Sequence, residues 1–226
     1  MLQQSTPFVP AWDSADTDVG AWSVKEELAS AIQYTAPLLV PWGVQVPAKL
    51  RPIVESDAST SYDEAVDVLN GGAEAIAVRP DSGLMEALGA DVVSERVLVV
   101  LRDGEELKGE VQPAGLLVEG ERIPSSESLK RYVHRMNTSV SGRGVYVRAP
   151  DVRAIAAHGA TAIIGTSQLA LEQPSAGQLD YVEAWMCTMT SDRADGLLPT
   201  LVVSDTCSAA LGLVYSSAES VRASLK

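Results

Sequence analysis

The chain has 226 residues, 46% of them hydrophobic and 21% charged, with a formal net charge of −13. That length supports one large or two smaller domains. The acidic balance works against a nucleic-acid partner, and no apolar run reaches the roughly 18 residues of a membrane span. Met1 to Pro10 has neither a basic start nor an apolar segment, so no secretory signal is expected. Two cysteines without a framework fit a reducing compartment, and a cytoplasmic location is expected.

In chain order, Met1 to Gly20 is polar, Pro-punctuated and aperiodic, and reads as a mobile tail that Trp12 and Trp22 anchor loosely. Ala21 to Ile32 has amphipathic spacing for a short helix, and Leu38 to Val40 suits a strand ended by Pro41. A first βα unit follows, with a strand at Arg51 to Glu55, a helix at Tyr62 to Leu69 and a strand at Glu74 to Arg79. Gly71-Gly72 is placed to end the helix through a left-handed cap. Arg79-Pro80-Asp81-Ser82-Gly83 reads as a turn and helix cap before a helix at Gly83 to Leu88. A strand at Arg96 to Leu101, a turn at Asp103-Gly104, a strand at Leu116 to Glu119 and a helix at Ser126 to Arg135 continue the alternation. On that last helix Lys130, Arg131, His134 and Arg135 form the one basic cluster, which a solvated helix face explains.

A second unit echoes the first. Asp151 to Ala157 reads as a helix, His158-Gly159 as its stop and Ala162 to Ile164 as a strand. Gly72-Ala73-Glu74-Ala75-Ile76 and Gly159-Ala160-Thr161-Ala162-Ile163 agree at four of five positions, 87 residues apart. Either an internal repeat or two generic turns would produce this. Asp151 to Pro174, with Ala157-His158-Gly159-Ala160 and Ile163-Ile164-Gly165-Thr166-Ser167, resembles a late βα unit of the ProFAR isomerase barrel family. The resemblance implies that Gly165, Thr166 and Ser167 bind a phosphate: the glycine lets the backbone approach the anion, and the hydroxyls and amides donate. An unadorned turn after a strand is the alternative. The family also uses two strand-end aspartates as acid and base. Asp57 follows a candidate strand, but Gly144-Val145-Tyr146-Val147-Arg148 offers no second one, so no catalytic residue is assigned.

At the end of the chain, Leu201-Val202-Val203 and Ala210 to Tyr215 read as strands joined by polar Ser204 to Ser208. Ser216 and Glu219 have capping-box spacing, placing a helix start at Ser217. Arg193-Ala194-Asp195-Gly196-Leu197, Thr200 to Val203 and Leu211-Gly212-Leu213-Val214-Tyr215-Ser216-Ser217 resemble the opening of the phosphoribosyl-AMP cyclohydrolase region of fungal multifunctional histidine-biosynthesis proteins. Ser61 to Val100 resembles their N-terminal region. The cyclohydrolase family places an Asp-rich, Cys-containing metal motif downstream of this opening, and nothing here matches it. Cys187 and Cys207 form no CxxC pair, and His134 and His158 stand alone. Cys187, without basic neighbours, reads as a structural thiol.

The expected architecture is therefore α/β: a mobile tail over 1–20, a degenerate (βα) barrel-like region over 21–190, and over 191–226 the first β-hairpin and helix of an incomplete α+β cyclohydrolase-like domain. No catalytic or metal residue and no cofactor is assigned to this chain. Zinc and magnesium are expected only for a complete cyclohydrolase domain. A phosphoribosyl-type small molecule is the expected ligand class, and pairing through the C-terminal hairpin the expected route to a homodimer. The competing reading is a non-catalytic phosphate-binding or scaffold module, and the third an isomerase-like barrel enzyme.

Overall fold

A computed structural model describes residues 6–13, 26–91, 94–102, 104–107, 113–120, 124–137, 144–204 and 206–226. Eight strands run parallel and in chain order around a closed barrel. They are β1 (Phe8–Ala11), β2 (Leu38–Pro41), β3 (Pro52–Glu55), β4 (Ala75–Val78), β5 (Val97–Arg102), β6 (Gly115–Glu119), β7 (Gly144–Arg148) and β8 (Thr161–Gly165). Helices α1 (Glu26–Thr35), α2 (Tyr62–Asn70), α3 (Gly83–Asp91), α4 (Ser126–Asn137) and α5 (Val152–Ala156) return the chain between strands. Only a single 3-10 turn, Ala48–Leu50, intervenes between β2 and β3. All eight strands fit between Phe8 and Gly165, well short of the ~250 residues typical of a (βα)8 barrel. The barrel-like expectation holds, and the economy lies in its shortened helical layer.

The 1–20 tail reading is corrected at its centre. Phe8–Ala11 is wholly buried and closes the ring between β2 and β8, with Phe8 opposite Ala162 and Ala11 opposite Gly165. Pro10 disguised this strand, because proline is normally kept out of central ladders. Here its missing N–H coincides with short pairing to β2, where Ala11 opposite Leu39 is the register pair. Trp12 is buried, while Trp22 lies outside the described residues.

Each strand sends alternate side chains into the barrel and out to the helices. Val9, Leu39, Ile53, Ala75, Ala77, Leu98, Val100, Leu117 and Ile163 form the inner cluster, with Tyr146 packed against it. Gly115 makes room for that ring: a Cβ there would meet Gly144 O at 2.8 Å and Tyr146 Cε2 at 3.1 Å. The outer cluster joins the opposite strand faces to the helices through Phe8, Ile32, Leu38, Ile76, Leu88, Leu116, Ile155 and Ile164.

Local signals mostly land where expected. Ser61 caps α2 in a full capping box with Glu64, and the left-handed residue that ends the helix is Gly72, at φ +104°. Arg96 donates to the carbonyls of Leu69, at 2.7 Å, and Ala73, satisfying groups the helix end leaves open. The Gly-Ala echo fails as a repeat: Ala75 faces the barrel interior, but its counterpart Ala162 faces the helices. A one-residue difference in register reverses every side chain, so the two segments share a turn and not a packing role.

Beyond β8 the chain forms two short strands, β9 (Leu169–Ala170) and β10 (Leu179–Asp180), and α6 (Tyr181–Met186), whose Tyr181 is fully buried. Tyr181 stacks edge-on against Phe8, ring centroids 5.2 Å apart, and its hydroxyl bonds Thr35 Oγ1. Burial raises the Tyr181 pKa well above the ordinary phenol range. An antiparallel hairpin of β11 (Leu198–Val203) and β12 (Ala210–Ser216) follows, then α7 (Ala218–Leu225). The cap of α7 is Ser217, boxed with Ser220, one residue later than the spacing of Ser216 and Glu219 predicts. Ser216 is instead buried at the root of the hairpin. Nor does α7 lack something to pack on, as an isolated fragment would: it lies against α1 and α6. Its Arg222 holds Asp180 at 2.7 Å and the Leu171 carbonyl, and Lys226 pairs with Glu172.

Candidate functional site

Parity along the strands decides what reaches the barrel mouth. Continuing each inward row one step past the apolar layer, at the carboxyl ends of the strands, brings Asp13, Pro41, Glu55, Arg79, Arg102, Glu119, Arg148 and Gly165 to the rim. This is the end where parallel barrels place their chemistry. It is a charged layer on an apolar barrel.

Most of that layer is paired with itself. Arg148, ending β7, binds Glu55, ending β3, and its Nε lies 3.7 Å from Glu119 Oε1. Arg79, just past β4, donates to Glu119 Oε2 at 2.6 Å. Strands β3 and β7 stand opposite each other in a ring of eight, so the Arg148–Glu55 pair crosses the mouth. Glu55 is 21% and Glu119 27% exposed, which leaves both carboxylates partly desolvated against the two guanidinium groups. The ion pairs tie four strands together over the axis where a substrate would enter.

The predicted phosphate loop occupies the remaining arc, after β8. Its donors converge on a carboxylate of the same chain. Asp13 Oδ1 accepts from Thr166 Oγ1 at 3.0 Å and from the Ser167 amide at 3.1 Å, and Oδ2 accepts from Ser167 Oγ. A Cβ on Gly165 would overlap Asp13 Oδ2, so glycine is needed for this approach. Gln178 braces the loop, its Nε2 donating to the Ser167 carbonyl at 2.8 Å. The loop thus has the donor geometry of an anion cradle, and Asp13 fills it.

Asp13 is the site residue that sequence reasoning missed, and it follows the strand mistaken for tail. Of the rim positions, Asp13 is the one strand-end aspartate, so the pair used by the isomerase family is not assembled there. Asp57 instead closes a turn before α2, as a short acceptor side chain in a loop readily does. Its Oδ1 accepts from the Ser59 amide at 2.8 Å and from the Ser59 and Thr60 hydroxyls, which lowers its pKa. Ser82 behaves as its spacing predicts, donating to Arg79 O at 2.7 Å and accepting from Met85 N.

Away from the mouth the chemistry is sparse. Among the described residues no three His, Cys, Asp or Glu side chains gather as a metal site. Cys187 is half-buried with its pKa raised by desolvation, and Cys207 is exposed with its pKa lowered by Ser204. Lys130, Arg131, His134 and Arg135 lie along α4, with Arg131 3.7 Å from Glu106. Beside that helix a cavity of ≈ 220 Å³ is lined by Leu101, Leu107, Leu116, Arg131, Tyr132 and Arg135. It lies below the roughly 300 Å³ at which small-molecule sites usually begin. No helix among the described residues is long and apolar enough to cross a membrane.

Comparison with known proteins adds three related sequences. The chain is 29% identical over 184 residues to the Histidine biosynthesis trifunctional protein of Neurospora crassa, covering 79% of this chain and 21% of that protein. It is 28% identical over 194 residues to the Histidine biosynthesis bifunctional protein his7 of Schizosaccharomyces pombe, covering 77% and 44%. The Histidine biosynthesis trifunctional protein of Candida albicans is 27% identical over 191 residues, covering 80% and 21%. The chain therefore spans about a fifth of the trifunctional relatives and less than half of the bifunctional one. No protein-family profile matches it.

Proposed function

We propose that this chain is the N-terminal portion of a histidine-biosynthesis polypeptide: a barrel scaffold that leads into the opening hairpin and helix of a phosphoribosyl-AMP cyclohydrolase-like domain, working in the cytoplasm. The matched activity is the ring-opening hydrolysis of phosphoribosyl-AMP to ProFAR. On this reading the residues that hold the metal and activate the water lie outside this sequence, and the chain alone is inactive. The observation that carries the scaffold role is the Arg148–Glu55 pair across the mouth. A barrel enzyme needs that space for its substrate, whereas a scaffold gains from closing it.

Two measurements test the proposal. Disrupting the coding region in its host is expected to create a growth requirement that histidine relieves; growth without histidine would remove the pathway assignment. The purified chain with zinc or magnesium is expected to give no ProFAR. Turnover of phosphoribosyl-AMP that survives repurification would place the catalytic groups inside these 226 residues.

A second reading, a phosphate-ligand module, is favoured by the grip of Thr166 and Ser167 on Asp13. A phosphate would need the same donors and would meet the Asp13 charge beside it. On this reading a phosphate displaces Asp13, so titration with ribose 5-phosphate to millimolar ligand should shift the Gly165 to Ser167 amides in the wild type. In Asp13→Ala the same amides should shift at lower ligand. If they stay still in both proteins, the phosphate module is wrong.

A further inference from the structure

We infer that α6 and α7 act as a clasp that keeps the barrel closed between β1 and β2, where its own ladder is thinnest. Among the described residues, β1 and β2 share one register pair, Ala11 opposite Leu39, while every other neighbouring pair in the ring shares three to five. The sequence explains the difference. Along a strand, the N–H groups of alternate residues point to the same neighbour. Trp12 N donates to Leu39 O at 2.8 Å, and the parallel ladder returns Leu39 N to the Pro10 carbonyl. Pro10 and Trp12 therefore face this seam from one side, and Pro37, Leu39 and Pro41 from the other. Proline has no N–H to give, so three donors are missing from one seam.

The contacts that bridge this gap come from the segment after β8. Tyr181, fully buried at the start of α6, stacks edge-on against Phe8 of β1, and its hydroxyl bonds Thr35 Oγ1 at the end of α1, just before β2. One side chain thus holds both sides of the seam. Helix α7 in turn holds α6 from outside: it packs on α1 and α6, with Val221 and Leu225 against the core. Its Arg222 binds Asp180, the cap of α6, at 2.7 Å and also the Leu171 carbonyl. The Arg222 and Asp180 side chains are 22% and 13% exposed, so this pair is sheltered from the screening that weakens surface bridges. On its other edge β1 is held to β8 by four register pairs and by Asp13 at Thr166 and Ser167. It stays with β8, and any opening falls on the β2 side. Releasing α7 therefore loosens the arc of the mouth between Asp13 and Pro41, which couples barrel closure to the docking of the C-terminal helices.

Amide hydrogen exchange of the full chain, read residue by residue by NMR, is the test. In the wild type, Trp12 and Leu39 are expected to exchange faster than the ladder amides of β5 and β6, whose seam has five register pairs. Tyr181→Phe keeps the stack on Phe8 and removes the bond to Thr35, which retains its bond to the Ala31 carbonyl. Arg222→Met frees α7 from Asp180 and Leu171. Each should speed exchange at Trp12 and Leu39 by about tenfold, the factor given by losing one well-made buried hydrogen bond, and leave β5 and β6 unchanged. Pro10→Val adds a donor facing β2 and should slow the same amides in the Arg222→Met background. Tyr181→Phe, being nearly isosteric, carries the test should Arg222→Met fail to fold. Trp12 and Leu39 exchanging as slowly as β5 and β6 in the wild type would overturn the inference. So would variants that leave the seam unchanged, or that speed every strand alike, since the latter is a loss of global stability and not the release of one seam. None of these readouts depends on the pathway assignment.

Discussion

Phe8→Ala should cost about 3–5 kcal/mol of stability, the usual range for deleting a fully buried phenylalanine. Phe8 is wholly inaccessible, sits in the strand that closes the barrel, and meets Tyr181 edge to face. Its loss would open a cavity at the junction of β1, β8 and α6, where the surrounding backbone is held by ladder bonds and cannot collapse. It would also remove one wall around the Thr35–Tyr181 hydrogen bond, exposing a buried polar pair to partial solvation. Urea unfolding followed by circular dichroism gives the number. A loss below about 1 kcal/mol, the size of an ordinary peripheral change, would mean that β1 is an accessory strand and that 1–20 behaves as a tail after all.

Arg148→Met tests the charged mouth. The substitution keeps much of the side chain's length and apolar stem but removes the cation that Glu55 binds, while Glu119 keeps Arg79. Stranding one partner of a fully buried pair costs about 3–5 kcal/mol, and exposed pairs contribute about 0–1. With exposures between 21% and 36% across Glu55, Glu119 and Arg148, a loss of about 1–3 kcal/mol is expected. Adding Glu55→Gln to Arg148→Met should recover part of it, because a partly buried charge stripped of its cation is then removed. If the single variant is as stable as the wild type, the arginine does not brace the mouth. The scaffold argument would then lose its main support, and a substrate-facing role for Arg148 would gain.

The helices and strands were legible wherever their signals are local. The capping box of Ser61 and Glu64, the left-handed Gly72 and the alternation of short apolar runs with amphipathic ones all act within a few residues. Errors arose where a local rule admitted two answers. Ser216 and Ser217 both qualify as a cap, and burial of Ser216 at the hairpin root decided between them. Phe8–Ala11 is too short and too interrupted by proline to read as a strand by itself. Its stability comes from neighbours at Leu38–Pro41 and Thr161–Gly165, which no window around residue 10 contains. The Gly-Ala echo misled in the opposite way, since similar residues in opposite register carry no common packing.

The candidate site divides along the same line. Gly165, Thr166 and Ser167 stand out through the resemblance to an isomerase-family βα unit, and a glycine followed by two hydroxyl residues after a strand is a donor-rich turn whatever surrounds it. What those donors hold could not be picked, because Asp13 is 153 residues from Thr166 in the chain. Nor could Arg148 be joined to Glu55 across 93 residues until the barrel closed and strand parity turned both inward. Composition, caps and periodicity depend on nearest neighbours, and they were enough to specify an acidic βα chain with an apolar hairpin and a capped helix after it. Which carboxylate fills the anion cradle and which arginine spans the mouth depend on ring closure and register, and only the folded chain decides those.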